Sequence, residues 1–188
     1  FLKNNLFSIN SEKIEKFSGL KKYVDTRNVG DGYIKDFELI DYANKKSRAD
    51  LKIKKNSILI AKMINSKKHY YFMNHSDQFV NDFVFSTGFL NIVPSEISFE
   101  YVTALTMHWY FEKQKNFIGY AKSTQQAINN TELMLIDLMV PDEETLLKFK
   151  EDTNLYFKKI EQLRNQKLEA IDIKNKLASQ LIIGNLKI

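Results

Sequence analysis

The sequence predicts an α+β chain: a mixed, strand-rich domain over residues 1–141, then one long helix over 142–188 that packs as a coiled coil. Up to Pro141, short β-rich runs are set off by Asn, Ser and Gly. From there to about Gln180 neither Gly nor Pro occurs, and Lys, Glu, Leu, Gln and Asn dominate. The apolar positions of that second stretch recur in steps of three and four, the period of a helix.

Within the first part, Ser57–Ala61 and residues 83–85 and 90–93 read as strands. Ser98 is placed to cap a helix in which Val102, Leu105 and Trp109 share one face. Residues 133–140 are almost continuously apolar, the pattern of a strand buried on both faces, and should close the globular part. Gly88 and Gly119 read as tight-turn residues.

Pro141 marks a helix start, with Asp142, Glu143 and Glu144 favourably placed against the dipole of the first turn. A helix of some forty residues is about 60 Å long at ~1.5 Å per residue, so this rod is not expected to fold back onto a small domain. Leu146, Phe149, Tyr156, Ile160, Leu163, Ala170, Leu177 and Leu181 form its seam, interrupted by the polar Thr153, Lys167 and Lys174. Such a stripe asks for a partner helix. Acidic and basic residues are balanced from Asp142 to Lys176, which marks the remaining faces as solvated.

Apolar residues make up 44% of the 188, enough to fill a core. Phe1 is not an initiator methionine, so the chain reads as a piece of something longer. Without cysteine there is neither a disulfide framework nor a thiolate metal site, and the expected compartment is the cytoplasm. No run has the length of a membrane span, so no membrane partner is expected. Charge is uneven: Lys45, Lys46, Arg48, Lys52, Lys54, Lys55, Lys62, Lys67 and Lys68 face a single acid, Asp50, within one stretch. That stripe either attracts a polyanion or serves as a solvated face.

Catalytic patterns are missing from the sequence. The isolated prolines, Pro94 and Pro141, exclude the Pro-Pro-aromatic loop of an adenine methyltransferase, and there is no Gly-rich phosphate or cofactor loop. Asp142 with Asp172 and Lys174 imitates a nuclease set, but on one helix instead of adjoining strands. His69, His75 and His108 lack metal-ligand spacing. Neither a metal nor a cofactor is expected. Beside His69, basic and aromatic residues alternate, although Tyr70 and Tyr71 equally fit an ordinary strand with one face in the core.

The order of segments resembles the target-recognition domain of type I restriction-modification specificity subunits followed by that family's spacer helix. Residues 22–34 are similar to its opening strand and turn, and residues 53–61 to its buried-strand segment. Residues 86–94 with the helix at Tyr101, then residues 123–130 leading through Leu138 and Val140 to Pro141, follow in the same order. The chain departs from the family in having Pro141-Asp142 where the proline is often doubled, and Glu143-Glu144 where a Glu-Gln pair stands. A complete member carries two such units, so the chain resembles a half-subunit or a truncated one.

That resemblance implies a non-catalytic protein that reads double-stranded DNA and directs methyltransferase and restriction subunits to it. The long helix would join a second copy or a second recognition half. Candidate DNA contacts are Arg27 and Asn28 in the first turn, Lys45, Lys46 and Arg48 in the stripe, and Lys67, Lys68, His69 and Tyr70. Lys122, Ser123, Thr124 and Gln125 complete the set. Arg can take guanine bidentately, and Asn or Gln adenine. Arg27 serves equally as a turn cap and residues 123–125 as a helix cap. Two rival readings stay open: the recognition module of a fused type II restriction-methylation enzyme, and a coiled-coil adaptor whose β domain binds protein.

Overall fold

The computed structural model describes residues 6–73, 77–121 and 126–182. In chain order the elements are β1 (Phe7–Asn10), β2 (Lys21–Val24), a 3-10 turn (Thr26–Asn28), β3 (Glu38–Ile40), β4 (Ala49–Leu51), β5 (Ser57–Ala61) and β6 (His69–Phe72). Then come α1 (Asp77–Asn81), β7 (Phe83–Ser86), β8 (Phe89–Pro94), α2 (Phe99–Met107), α3 (Trp109–Tyr120), α4 (Asn130–Leu133) and α5 (Glu143–Ile182).

Among the described residues, eight strands form two four-stranded sheets. The first has the order β1-β8-β5-β6 and is antiparallel throughout; the second has the order β3-β2-β7-β4, with β2 and β7 parallel. Between β7 and β8 the chain passes from one sheet to the other within Thr87 and Gly88. A side chain at Gly88 would run into Arg48 and Thr26, so its lack of a Cβ lets three segments close on one point.

The first sheet is buried on both faces. Ile58 and Ile60 of β5, with Leu90 and Ile92 of β8, face a helical layer containing Val102, Phe111, Leu133, Leu146 and Phe157. Leu59 and Ala61 face Val24, Phe83 and Phe85 of the second sheet. Alternation sends successive residues of a strand to opposite faces, so a strand with two dry faces must be apolar throughout. β5 meets that condition as its sequence predicts.

Residues 133–140 do not. They leave α4 at Leu133 and run on as an irregular segment in which Leu133 and Ile136 are buried while Leu135 and Met139 are exposed. Both central strand positions of the first sheet are already filled by β5 and β8, so this apolar run covers the helical layer instead. Ser98 precedes α2 but caps nothing with its side chain; its hydroxyl donates to the Leu6 carbonyl at 2.6 Å. Trp109 opens α3 after a break at His108, whose Nδ1 accepts from the Tyr110 amide at 3.3 Å. Gly119 is no turn: it lies within α3, where a Cβ would collide with Ile64.

α5 starts as expected just beyond Pro141, with the Asp142 carboxylate accepting from the Thr145 amide at 2.8 Å. Contrary to the expectation for so long a rod, it lies back along its own domain. Leu146 and Phe157 enter the first core, Leu168 and Ile171 the second, and Glu161 and Arg164 are buried between them. The Arg164 guanidinium stacks over the Tyr71 ring at 3.8 Å and lies 5.2 Å from that of Tyr70. Each fully buried apolar side chain here stabilises the arrangement by roughly 1.5–3 kcal/mol.

The inward residues Phe157, Glu161, Arg164, Leu168 and Ile171 each follow a seam residue (Tyr156, Ile160, Leu163, Lys167, Ala170) by one position. One residue is about 100° around a helix, so the two stripes are different faces. Leu146 of the seam is buried in the domain and Phe149 is half-buried, while Tyr156, Ile160, Leu163, Leu177 and Leu181 remain exposed.

Candidate nucleic-acid interface

The basic stripe divides once folded. Lys45 pairs with Asp50 at 3.0 Å, Lys46 with Glu38 at 2.5 Å and Lys52 with Glu15 at 2.8 Å, and Lys54 pairs with Glu12. Those acids come from β3, β4 and the segment after β1, and all but Asp50 lie outside the stripe, which is why it looks almost unopposed in sequence. Lys45 and Lys46 are further occupied over the rings of Tyr42 and Tyr23. Among the described residues, Arg48, Lys62, Lys67 and Lys68 have no such acid.

These four gather at one end of the two sheets. Lys62, Lys67 and Lys68 lie on the connection between β5 and β6; Arg48 immediately precedes β4, and its carbonyl accepts from the Thr87 amide at 2.9 Å. Ala61 pairs with Phe89 and Ala49 with Ser86, so the β5 end, the β7–β8 turn and the β4 start are neighbours. The 3-10 turn bearing Arg27 comes to the same point through Thr26, beside Gly88. Burial pushes the Lys62 ammonium down from its usual range and the nearby Arg48 charge pushes it further. An anion between the two cations would relieve both effects.

The β5–β6 connection is held open by α3. Buried Lys115 donates to the Ser66 carbonyl at 2.7 Å and pairs with Glu112 at 2.8 Å; burial lowers its proton affinity. Asn65, in the left-handed region at φ 56°, donates its amide to the Asn116 side chain at 2.8 Å and its own side chain to the Tyr120 hydroxyl at 2.7 Å. The Ile64 amide donates to the Gln126 carbonyl at 3.1 Å. The loop is therefore a pinned platform with exposed amides at its tip.

The expected contacts fall into distinct sets. Arg27 is exposed at the cluster, 3.6 Å from Asp25. Asn28 closes a reciprocal cap, its side chain accepting from the Asp25 amide at 3.3 Å, so it shapes the turn. His69 and Tyr70 are corrections: both are buried, His69 against Asp31 and the Lys67 carbonyl at 3.1 Å and Tyr70 beneath α5, because β6 is dry on both faces. Lys122, Ser123, Thr124 and Gln125 lie outside the described residues, as does His75. Sequence reasoning passed over Asn65, Asn116 and Tyr120. Only the left-handed tendency of the Asn-Ser pair at 65–66 hinted at an exposed turn.

Among the described residues no group of three or more His, Asp or Glu is placed to hold a metal ion, and no described helix is long and apolar enough to cross a membrane. No family model and no curated protein matches the sequence. Solved structures do match. The crystal structure of the HsdS subunit from Thermoanaerobacter tengcongensis superimposes with a TM-score of 0.64 at 16% identity, covering 93% of this chain and 45% of that one. A chain from a study of complex assembly and conformational transition in the type I R-M system follows at 0.55 and 17% identity, covering 89% and 43%.

The fold is therefore that of an HsdS specificity subunit, and this chain spans less than half the length of the two neighbours it matches.

Proposed function

We propose that this chain is the sequence-specific DNA-recognition subunit of a restriction-modification system: a target-recognition domain over residues 1–141 with a spacer helix over 142–188. It carries no chemistry of its own and directs partner methyltransferase and restriction subunits to their target. The observation that carries the reading is the convergence of Arg48, Lys62, Lys67 and Lys68, without acidic partners among the described residues, at one end of an HsdS-like fold. Cations grip phosphates and set register, while side chains at base edges set sequence. Arg48, Lys62, Lys67 and Lys68 take the first role. Arg27, Asn65, Asn116 and residues 122–125 take the second.

The uncovered seam from Tyr156 to Leu181 supports pairing through α5 as a coiled coil, with a second copy or a second recognition half. The test is selection of bound duplexes from a random library, at two salt concentrations and in the presence of a type I methyltransferase subunit. A short enriched motif whose binding falls steeply with salt is the expected result. No enriched motif while the partner stays bound would replace this reading with that of a protein-binding adaptor.

A further inference from the structure

α3 has two faces of opposite character. Phe111, Lys115 and Gly119 are buried against the domain. At about 100° per residue, Trp109, Lys113, Phe117 and Tyr120 fall within about 80° of one another on the other side, and all four are exposed. Phe117 is the extreme case: 79% of it meets solvent, and its side chain has no polar atom to offer water. The helix's one acid, Glu112, is turned inward onto Lys115 at 2.8 Å. The outward face therefore carries a positive charge at Lys113 and no negative one. Exposed rings around a cation, with acids kept away, complement a polyanion.

The placement of α3 decides what part of that polyanion it meets. The helix lies alongside the β5–β6 connection and antiparallel to it. Gly119 closes on Ile64, Asn116 and Tyr120 bond to Asn65, Lys115 donates to the Ser66 carbonyl, and Trp109 shares a crevice with Lys67 and Lys68. The basic connection and the exposed helix face are thus neighbouring ridges, tied together before any partner arrives. A helix with its side chains is about 10–12 Å across. That matches the major groove of B-DNA, about 12 Å wide, and excludes the minor groove, about 6 Å wide. With α3 in the major groove, Lys67 and Lys68 stand over the phosphates that border it.

The chemistry of the base edges singles out a match for Phe117. In the major groove those edges are hydrogen-bond donors and acceptors, with one apolar exception, the C5-methyl group of thymine. Trp109 and Tyr120 each keep a polar handle, and the Tyr120 hydroxyl accepts from the Asn65 side chain at 2.7 Å. Phe117 has none.

We propose that α3 enters the major groove and that Phe117 reads the C5-methyl group of a thymine in the target, while Lys67 and Lys68 fix the register on the adjacent phosphates. This rests on DNA recognition by the domain and adds the helix, the groove and one base of the target.

The test removes one methyl group from the DNA and one ring from the protein. Duplexes are selected from a random library by the chain of 188 residues, and the selected sequence is remade with deoxyuridine replacing each thymine of either strand in turn. At one position the exchange should weaken binding about three- to fivefold, the equivalent of one buried methyl group. The Phe117→Ala chain should bind the thymine and uracil duplexes equally and accept other base pairs at that position. Its thermal melt and its salt dependence should match those of the unsubstituted chain, because Phe117 is exposed and no phosphate contact is lost. A motif without thymine, or one that tolerates uracil at every position, overturns the assignment and leaves DNA recognition standing. So does a Phe117→Ala chain that keeps the full thymine preference; if that chain instead releases the methyltransferase subunit, the face is a protein contact. Selection of no motif at all overturns DNA recognition and this assignment together.

Discussion

In the proposed role, phosphate binding should depend most directly on Arg48 and Lys62, since burial and the Arg48 charge raise the cost of the Lys62 charge until an anion arrives. Arg48→Ala and Lys62→Ala should each weaken DNA binding alike for all sequences and reduce the slope of log K against log salt by roughly 0.9 per lost contact. An unchanged slope in titrations from low to moderate salt would remove them from the interface. His69 has a different consequence. Burial, with Arg164 and Lys115 adding to it and Asp31 and the Lys67 carbonyl opposing, holds its proton affinity below the ordinary histidine range. The unfolded chain takes up a proton near pH 6.5 while the folded one does not, so stability falls as pH drops through that value. Denaturant melts at pH 7 and pH 5 should show the loss, and His69→Gln should diminish it; an equal loss in the variant would assign it to other groups. At Gly119 the missing Cβ matters because α3 lies against Ile64. Gly119→Val should cost about 1–3 kcal/mol through overpacking, seen as a lowered Tm.

α5 has two separable faces one residue apart. Phe157 sits among Tyr71, Phe99 and the helical layer, its ring 5.6 Å from that of Tyr71. Phe157→Ala should therefore destabilise the domain by about 3–5 kcal/mol. Leu163 is 53% exposed on the other face, where a surface substitution changes folding stability by within about 0.5 kcal/mol. Leu163→Glu should leave the melt in place and abolish dimerisation in light scattering. A dimer that survives this change would mean that the seam is not where copies meet.

For the whole molecule, the two domains of the proposed pair of copies would be related by a twofold, and the proposed DNA-reading surfaces by the same operation. Selected duplexes should therefore contain one motif twice, as an inverted repeat with a fixed gap, in the manner of dimeric DNA readers. Leu163→Glu protein should select a single half-site with lower affinity. A lone, asymmetric motif selected by the dimeric chain would contradict the twofold arrangement and leave DNA recognition itself untouched.

Several features were legible in the sequence because they depend on local order. β5, β7 and β8 follow from apolar and β-branched runs, the start of α5 from Pro141 and its acids, and the uncovered seam from steps of three and four. Folding brought distant segments together and decided the rest. The four acids that pair with Lys45, Lys46, Lys52 and Lys54 stand 5 to 42 residues from them along the chain, and three lie outside the stripe, so local charge counting could not find the cations left over. Tyr70 and His69 were lost to the core because β6, although an edge strand, is covered on both faces, a fact about its neighbours and not its residues. The inward face of α5 was hidden for a related reason: Glu161 and Arg164 break its apolar period, and Arg164 is received by the Tyr70 and Tyr71 rings supplied by β6. Periodicity reports how a segment would bury itself; which of its faces meets the domain depends on partners that only the tertiary structure provides.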